Sequence, residues 1–187
     1  YEGGDDPAPL GMLHFYNPYT KENGCFEHAA AMALHAFLQA GRADDAYRIL
    51  LSNLPPTLHR KDPIKYRSAP NNWPQVLNGK HGEYGAGGDW LTGTAAWNLS
   101  AIQEGLIGAK PDYDGLRVDP VLPSQWGSQN ILFRRVFRGE TYNVLVTNPD
   151  GVSTGVRSVI FDGEKLTSNL LPVSEPGQEH YVEVEMG

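Results

Sequence analysis

Cysteine is almost missing from this chain. Cys25 stands alone among 187 residues, so no intrachain disulfide framework can form and a reducing, cytoplasmic setting is expected. Set among apolar neighbours, Cys25 reads as a small packed hydrophobe rather than a nucleophile. Long apolar runs are missing too: none approaches the roughly 18 to 20 residues of a membrane-spanning helix, and no secretory signal pattern opens the chain. Positive charge is scarce. Fifteen Lys and Arg face 22 Asp and Glu, a formal net charge of −7, which argues against nucleic acid or an anionic membrane as partner. No G-x-S-x-G occurs, so the serine-hydrolase signature is absent. Gly85, Gly87 and Gly88 follow no strand and precede no Lys-Ser/Thr, so they are not a nucleotide loop. His14, His35, His59, His81 and His180 lack metal-ligand spacing with cysteines or carboxylates, and no metal site is expected.

What is present suits one large or two small globular domains: 40% of residues are hydrophobic and 20% charged. The chain starts at Tyr1 rather than Met, and we expect it to be a segment of something longer. Residues 1–23 are rich in Gly, Pro, Asp and Asn and read as irregular, though too aromatic for a mere linker. "CFEHAAAMALHAFLQA" (25–40) has helical spacing and ends at Gly41, and "RADDAYRILLSN" (42–53) makes a second helix, an αα-hairpin with Gly at its corner. Pro55 and Pro56 should stop that helix and open a long loop over residues 55–90, where Trp73, Tyr84 and Trp90 argue for function rather than disorder. "TGTAAWNLSAIQEGLIG" (92–108) gives a third helix. The period then becomes alternating, and strands are expected at 131–138, 141–148, 156–163 and 180–186, separated by Arg-Gly-Glu, Asn-Pro-Asp-Gly and Asp-Gly-Glu turns. The order is α+β, with a boundary near 109–120. Three helices are few to close a core alone.

Several residues could carry chemistry. His28 lies in the first turn of an alanine-rich helix, where a packed or supporting role competes with a functional one. Thr92, Gly93 and Thr94 stand at a helix start, where free N–H groups and the positive end of the dipole suit an anion. Simple N-capping by Thr92 is the plain alternative, and both roles can coexist. Trp73, Gln75, Asp89 and Trp90 combine apolar platforms with polar groups suited to a sugar. Asp44 and Asp45 read as helix-start acids rather than catalysts. Asp112, Asp114 and Asp119 read as turn residues.

Three stretches taken together, "KENGCFEH", "WLTGTAAW" and "PDYDGLRVDPVLPSQW", resemble the C-terminal part of the inverting β-glycoside phosphorylases, the family of cellobiose, cellodextrin and chitobiose phosphorylases. "FRRVFRGETYNVLVTNP" and "SVIFDGEKL" continue the likeness, which runs from about residue 15 to the end. The resemblance implies that residues 1–110 are the last helices of an (α/α)₆ catalytic barrel and that 111–187 form a small C-terminal antiparallel β-domain, two-layered and jelly-roll-like. It implies an enzyme that cleaves a β-glucosidic bond of a disaccharide or oligosaccharide with inorganic phosphate, inverting to an α-sugar-1-phosphate, with no cofactor. His28, Thr92 and Gly93 match phosphate-binding positions, and Lys21 and Gln75 match sugar-binding ones. The general acid, an aspartate, is expected upstream, so no residue of this chain inherits it. The remainder of the enzyme and a homodimer of the full-length protein are the implied partners. The chain departs from the family pattern in two places: "NGCFEH" is one residue shorter than the usual "NGG-x-x-x-H", and "APNNWPQ" replaces the usual Glu-Pro-Tyr with aromatics. An inverting glycoside hydrolase and a non-enzymatic carbohydrate-binding fragment are the alternatives.

Overall fold

The computed structural model describes residues 25–77, 86–87 and 92–187. Lys21 and Asp89 therefore lie outside the described residues. The chain is mixed helix and sheet, and its contacts group it into two units, one taking residues up to Leu34 and Arg48–Leu99, the other His35–Tyr47 and Ser100–Gly187.

The described residues begin with a two-residue strand, β1 (Cys25–Phe26), which leads directly into helix α1 (Glu27–Gln39), the first unit taking its residues up to Leu34 and the second those from His35. Ala31, Leu34 and Leu38 recur at helical spacing along α1 and are buried, as an amphipathic helix requires. The helix closes in a Schellman arrangement: Gly41, at φ +69°, donates its N–H to Leu38 O, and Arg42 donates to Phe37 O. Helix α2 (Ala43–Asn53) follows. Pro55 does not open a loop. It takes the first position of helix α3 (Pro55–Lys61), where its missing N–H would have had no intrahelical partner and its fixed φ already suits the helix. Helix α4 (Pro63–Tyr66) is capped by Asp62, whose Oδ1 accepts the N–H groups of Ile64 and Lys65 at 3.1 and 3.0 Å. Tyr66 is fully buried with Leu58 and Leu77, and its hydroxyl donates to Asn72 O. Trp73 donates its indole N–H to Asn53 O at 3.0 Å, which ties the segment after α4 to the end of α2. Strands β2 (Val76–Leu77) and β3 (Ala86–Gly87) complete a small antiparallel sheet in the order β1-β2-β3. Helix α5 (Thr94–Ser100) widens at Ala101–Leu106 into a π-helical stretch.

The second unit is built on two sheets. Strands β4 (Ala109–Pro111), β5 (Leu116–Val118) and β10 (Leu170–Leu171) form one, in the order β10-β5-β4. The other runs β6-β7-β11-β8-β9 and holds β6 (Ile131–Phe137), β7 (Glu140–Thr147), β8 (Val156–Phe161), β9 (Glu164–Lys165) and β11 (Glu179–Met186). Alternate residues of β7 and β11 are buried. Val144 and Val146 lie beside Val182 and Val184, and pack with Leu116, Val118 and Leu171 in one core. Each such side chain, fully buried, contributes about 1.5–3 kcal/mol relative to exposure. Arg138–Gly139 and Asp162–Gly163 have positive φ at both central positions, the two-residue hairpin geometry that joins β6 to β7 and β8 to β9. Among the described residues the antiparallel expectation holds for every pairing but one: β7 and β11 are parallel. A parallel neighbour needs a long connection, and the thirty-odd residues between them, which include β8, β9 and β10, supply it.

Asp44 lies in the first turn of α2, as expected of a helix-start acid, and it has a second role. Its carboxylate accepts the Ser124 N–H and hydroxyl at 2.7 and 2.9 Å, tying α2 to the segment before β6. Asp45 pairs with Arg42. Asp112 is held below the usual carboxylate range by the Arg117 guanidinium, which also donates to Asn169, so it acts as a structural turn residue.

Candidate functional site

The β1–β2 pairing carries the start of α1 to the end of the long segment after α4. Cys25 lies opposite Leu77 and Phe26 opposite Val76, and Glu27 N–H donates to Gln75 O at 2.9 Å. Gln75 and His28 therefore sit at adjacent ends of two neighbouring strands. His28 is the second residue of α1, half-buried, with its ring between Phe26 and Trp97. The ring centroids lie 6.2 and 5.6 Å away, and Trp97 meets the imidazole edge-on.

The entry to α5 closes on the same ring. A methyl group built on Gly93 would lie 3.2 Å from His28 Cε1, 3.4 Å from Nε2 and 3.6 Å from Trp97 Cδ1. Only a residue without a side chain lets the backbone come this close without moving the imidazole. His28 Nε2 is buried and has no hydrogen-bond partner among the described residues. An imidazole nitrogen withdrawn from water normally has one, so this atom calls for a partner.

Thr92 does cap: its Oγ1 accepts the Thr94 N–H at 3.1 Å, and Trp97 N–H donates to Gly93 O at 3.0 Å to close the first turn. Its hydroxyl also lies 2.6 Å from that of Thr94, which is completely buried. Asn98 fixes this turn by donating to Thr94 O. Of the residues singled out in the sequence, His28, Gly93 and Thr92 thus lie together, with the Gln75 backbone one residue from His28. Trp97 had no role assigned from sequence, and Thr94 was named there only as part of the helix start. The signal for Trp97 was its place four residues after Gly93, on the same helix face.

A second polar cluster belongs to the sheet unit and is internally satisfied. Buried Glu140 accepts the Ser174 N–H and hydroxyl and the Tyr142 hydroxyl. His180 connects Ser174, at 3.2 Å, to Asp162, at 2.7 Å. Burial pushes Glu140 up, but the bonds from Ser174 and Tyr142 outweigh it and hold the carboxyl below its usual range. Asp162 shows the same balance, with Tyr181 N–H and His180 outweighing burial. Tyr142 is pushed well above the usual phenol range by burial and by the Glu140 carboxylate. No cluster of His, Cys, Asp and Glu among the described residues could hold a metal ion, and no described helix is long and apolar enough to cross a membrane.

Fold and site together describe an α+β chain in which a helix-borne histidine packs against the Gly93 entry to α5. Residues 5–108 match the catalytic domain of the Glycosyl hydrolase 94 superfamily, and the chain belongs to that family. It is 34% identical over 172 residues to the N,N'-diacetylchitobiose phosphorylase of Vibrio proteolyticus, covering 90% of this chain and 21% of that protein. It is 29% identical over 186 residues to the solabiose phosphorylase of Paenibacillus borealis, covering 96% and 23%. With the cellobionic acid phosphorylase of Neurospora crassa it shares 30% over 200 residues, covering 95% and 24%. The chain thus spans less than a quarter of the length of these curated relatives.

Proposed function

We propose that this chain is part of a carbohydrate phosphorylase that cleaves a β-linked disaccharide or oligosaccharide with inorganic phosphate. The complete enzyme inverts at the anomeric carbon to give an α-sugar-1-phosphate, works without a cofactor, and acts in the cytoplasm as a homodimer. Residues 1–110 are the closing helices of its (α/α)₆ barrel and 111–187 its C-terminal β-domain. His28, Thr92 and Gly93 form one wall of the phosphate site, and Lys21 and Gln75 contact the sugar. One observation carries the reading: the buried Nε2 of His28, without a hydrogen-bond partner among the described residues and held against Gly93, in a chain whose relatives include an N,N'-diacetylchitobiose phosphorylase and a solabiose phosphorylase.

The chemistry is a single displacement. A phosphate oxygen attacks the anomeric carbon while a carboxylic acid, outside this chain, protonates the departing glycosidic oxygen. Phosphate must be held with its negative charge balanced while one of its oxygens becomes a bond. Fixed donors such as imidazole N–H and a threonine hydroxyl do this without reorganising at the moment of reaction.

Replacing His28 with Ala in the complete enzyme tests the reading. A hydrogen bond to a charged group contributes about 1.5–3 kcal/mol, so phosphorolysis at low phosphate should fall about 10- to 100-fold while the protein stays folded. Unchanged phosphate dependence in the variant would remove His28 from the site. Sugar release in phosphate-free buffer at the same rate would make the enzyme a hydrolase instead.

A further inference from the structure

A chain of polar groups in the sheet unit needs one proton more than its neutral members bring. We infer that His180 is an imidazolium that clamps residues 172–178 to the sheet, and that the clamp opens as pH rises through neutrality. The inference is independent of the phosphate reading of His28, Thr92 and Gly93.

The chain runs Asp162, His180, Ser174, Glu140, Tyr142, and each step is a contact that only a proton makes favourable. Asp162 Oδ2 lies 2.7 Å from His180 Nδ1, and His180 Nε2 lies 3.2 Å from Ser174 Oγ. Ser174 Oγ lies 2.6 Å from Glu140 Oε1, and Glu140 Oε2 accepts the Tyr142 hydroxyl. Four contacts need four protons. A neutral imidazole, a serine hydroxyl and a tyrosine hydroxyl bring one each, which leaves one contact with lone pair against lone pair whichever tautomer His180 adopts. The fourth proton belongs to His180 rather than to Glu140. Imidazole is the stronger base, and the Glu140 carboxylate already accepts the Ser174 N–H as well as two hydroxyls. As an imidazolium, His180 donates to Asp162 and to Ser174, Ser174 donates to Glu140, and every step is satisfied. Ser174, His180 and Asp162 stand in the order of a nucleophile triad, but the serine's hydroxyl and N–H both go to Glu140, so it is a tie and not a nucleophile.

What the clamp holds is the segment between β10 and β11. Gly177 N–H donates to Gly139 O and Thr141 N–H to Gln178 O, both at 2.9 Å, so the segment lies against the β6–β7 turn, and Tyr142 Oη reaches Pro172 O at 2.9 Å. Ser174 ties its middle to Glu140 on β7. His180 then ties Ser174 to Asp162 in the β8–β9 turn, whose other carboxylate oxygen accepts the Tyr181 N–H. The His180 ring is buried, with its centroid 4.7 Å from that of Phe161 and 5.3 Å from that of Tyr142, so water is a poor substitute for a lost partner. The titratable groups facing it are Asp162 from the β8–β9 turn and Glu140 and Tyr142 from β7. Arg138 in the β6–β7 turn acts on Tyr142, and Glu175 and Glu179, beside Ser174 and His180 in sequence, are exposed. Histidine is the side chain that exchanges a proton near neutral pH. The closed clamp holds a proton that the open one releases, so closure weakens as pH rises.

Hydrogen exchange of the complete enzyme, followed by mass spectrometry at about pH 6 and about pH 8, tests the clamp on either side of the histidine range. Once the intrinsic change of exchange rate with pH is removed, peptides covering residues 172–178, which include the bonded Ser174 and Gly177 N–H groups, should lose about tenfold in protection at the higher pH. Peptides covering β6 should not change. His180→Gln keeps a side-chain donor but cannot titrate, and it should abolish the difference between the two pH values. If that variant does not fold, Ser174→Ala cuts the same link from the other side and should abolish the difference as well. Equal protection of residues 172–178 at both pH values in the parent enzyme would overturn the clamp without recourse to any variant. So would a pH difference that persists in His180→Gln or Ser174→Ala, or one of the same size in β6.

Discussion

Gly93→Ala separates packing from function at the point where α5 meets His28. The backbone of Gly93 is outside the left-handed region, so alanine can adopt it without strain, and its methyl would lie 3.2 Å from His28 Cε1 and 3.4 Å from Nε2. Those are contacts a few tenths of an ångström too close, so the imidazole must turn slightly, at a cost of about 0.5–1.5 kcal/mol for an off-rotamer ring. Reduced freedom of the unfolded chain returns about 0.4–1 kcal/mol. Folding stability should therefore change by no more than about 1 kcal/mol. The effect on phosphate is larger. A charge-assisted N–H to oxygen contact needs about 2.7–2.9 Å, and the turned imidazole with a methyl beside Nε2 cannot offer it. Losing one such bond costs about 1.5–3 kcal/mol, a roughly 10- to 100-fold rise in the phosphate KM. Initial rates of the complete enzyme against phosphate, with a thermal unfolding curve for each variant, read both quantities. A phosphate KM within twofold of the parent, with stability unchanged, would refute the claim that the close approach of Gly93 and His28 is built for an anion.

Two further predictions concern the sheet unit. A methyl on Gly115 would lie 2.1 Å from Leu171 O, a backbone atom that cannot turn aside, so Gly115→Ala should destabilise by about 3 kcal/mol through separation of β5 from β10; a melting midpoint equal to the parent's would contradict that packing. Glu140 and Asp162 both have folded-state pKa values below their ordinary ones, so the stability they add is fully present above the unfolded values of 4.5 and 3.8 and is lost as pH falls through the folded ones. Chemical denaturation between pH 7 and pH 3 should show that acid loss, and Glu140→Gln should make the curve flatter; the same slope in the variant would mean that Glu140 does not carry it.

The sheet unit was largely legible. β6, β7, β8 and β11 each show alternation long enough to detect, and Arg-Gly and Asp-Gly mark their turns. The parallel pairing of β7 with β11 was not, because a period of two says which face of a strand is buried and nothing about which strand lies beside it. Strands of two or three residues, such as β2, β5 and β10, are too short to show any period. Pro55 misled for a definite reason: proline after a helix reads as a stop, and only the turn of the backbone at Leu54 shows that it begins the next one. At the site, the individual residues were visible but their meeting was not. His28 and Gly93 are 65 positions apart, and no local pattern joins them. The family resemblance did, and the geometry supplies the contact.

The two halves of the site answer differently to the missing residue in "NGCFEH". The phase of His28 on α1 is set by the residues C-terminal to it, the buried stripe of Ala31, Leu34 and Leu38, since each residue of a helix advances it by about 100°. A deletion before His28 leaves that phase untouched, and the imidazole still meets Gly93. What the shortening can alter is the extended segment ahead of the helix. Cys25 and Phe26 lie in that segment, and they pair with Leu77 and Val76, directly after Gln75. Its effect therefore falls on the side of the site proposed to hold sugar, and the His28–Gly93 contact proposed to face phosphate is kept.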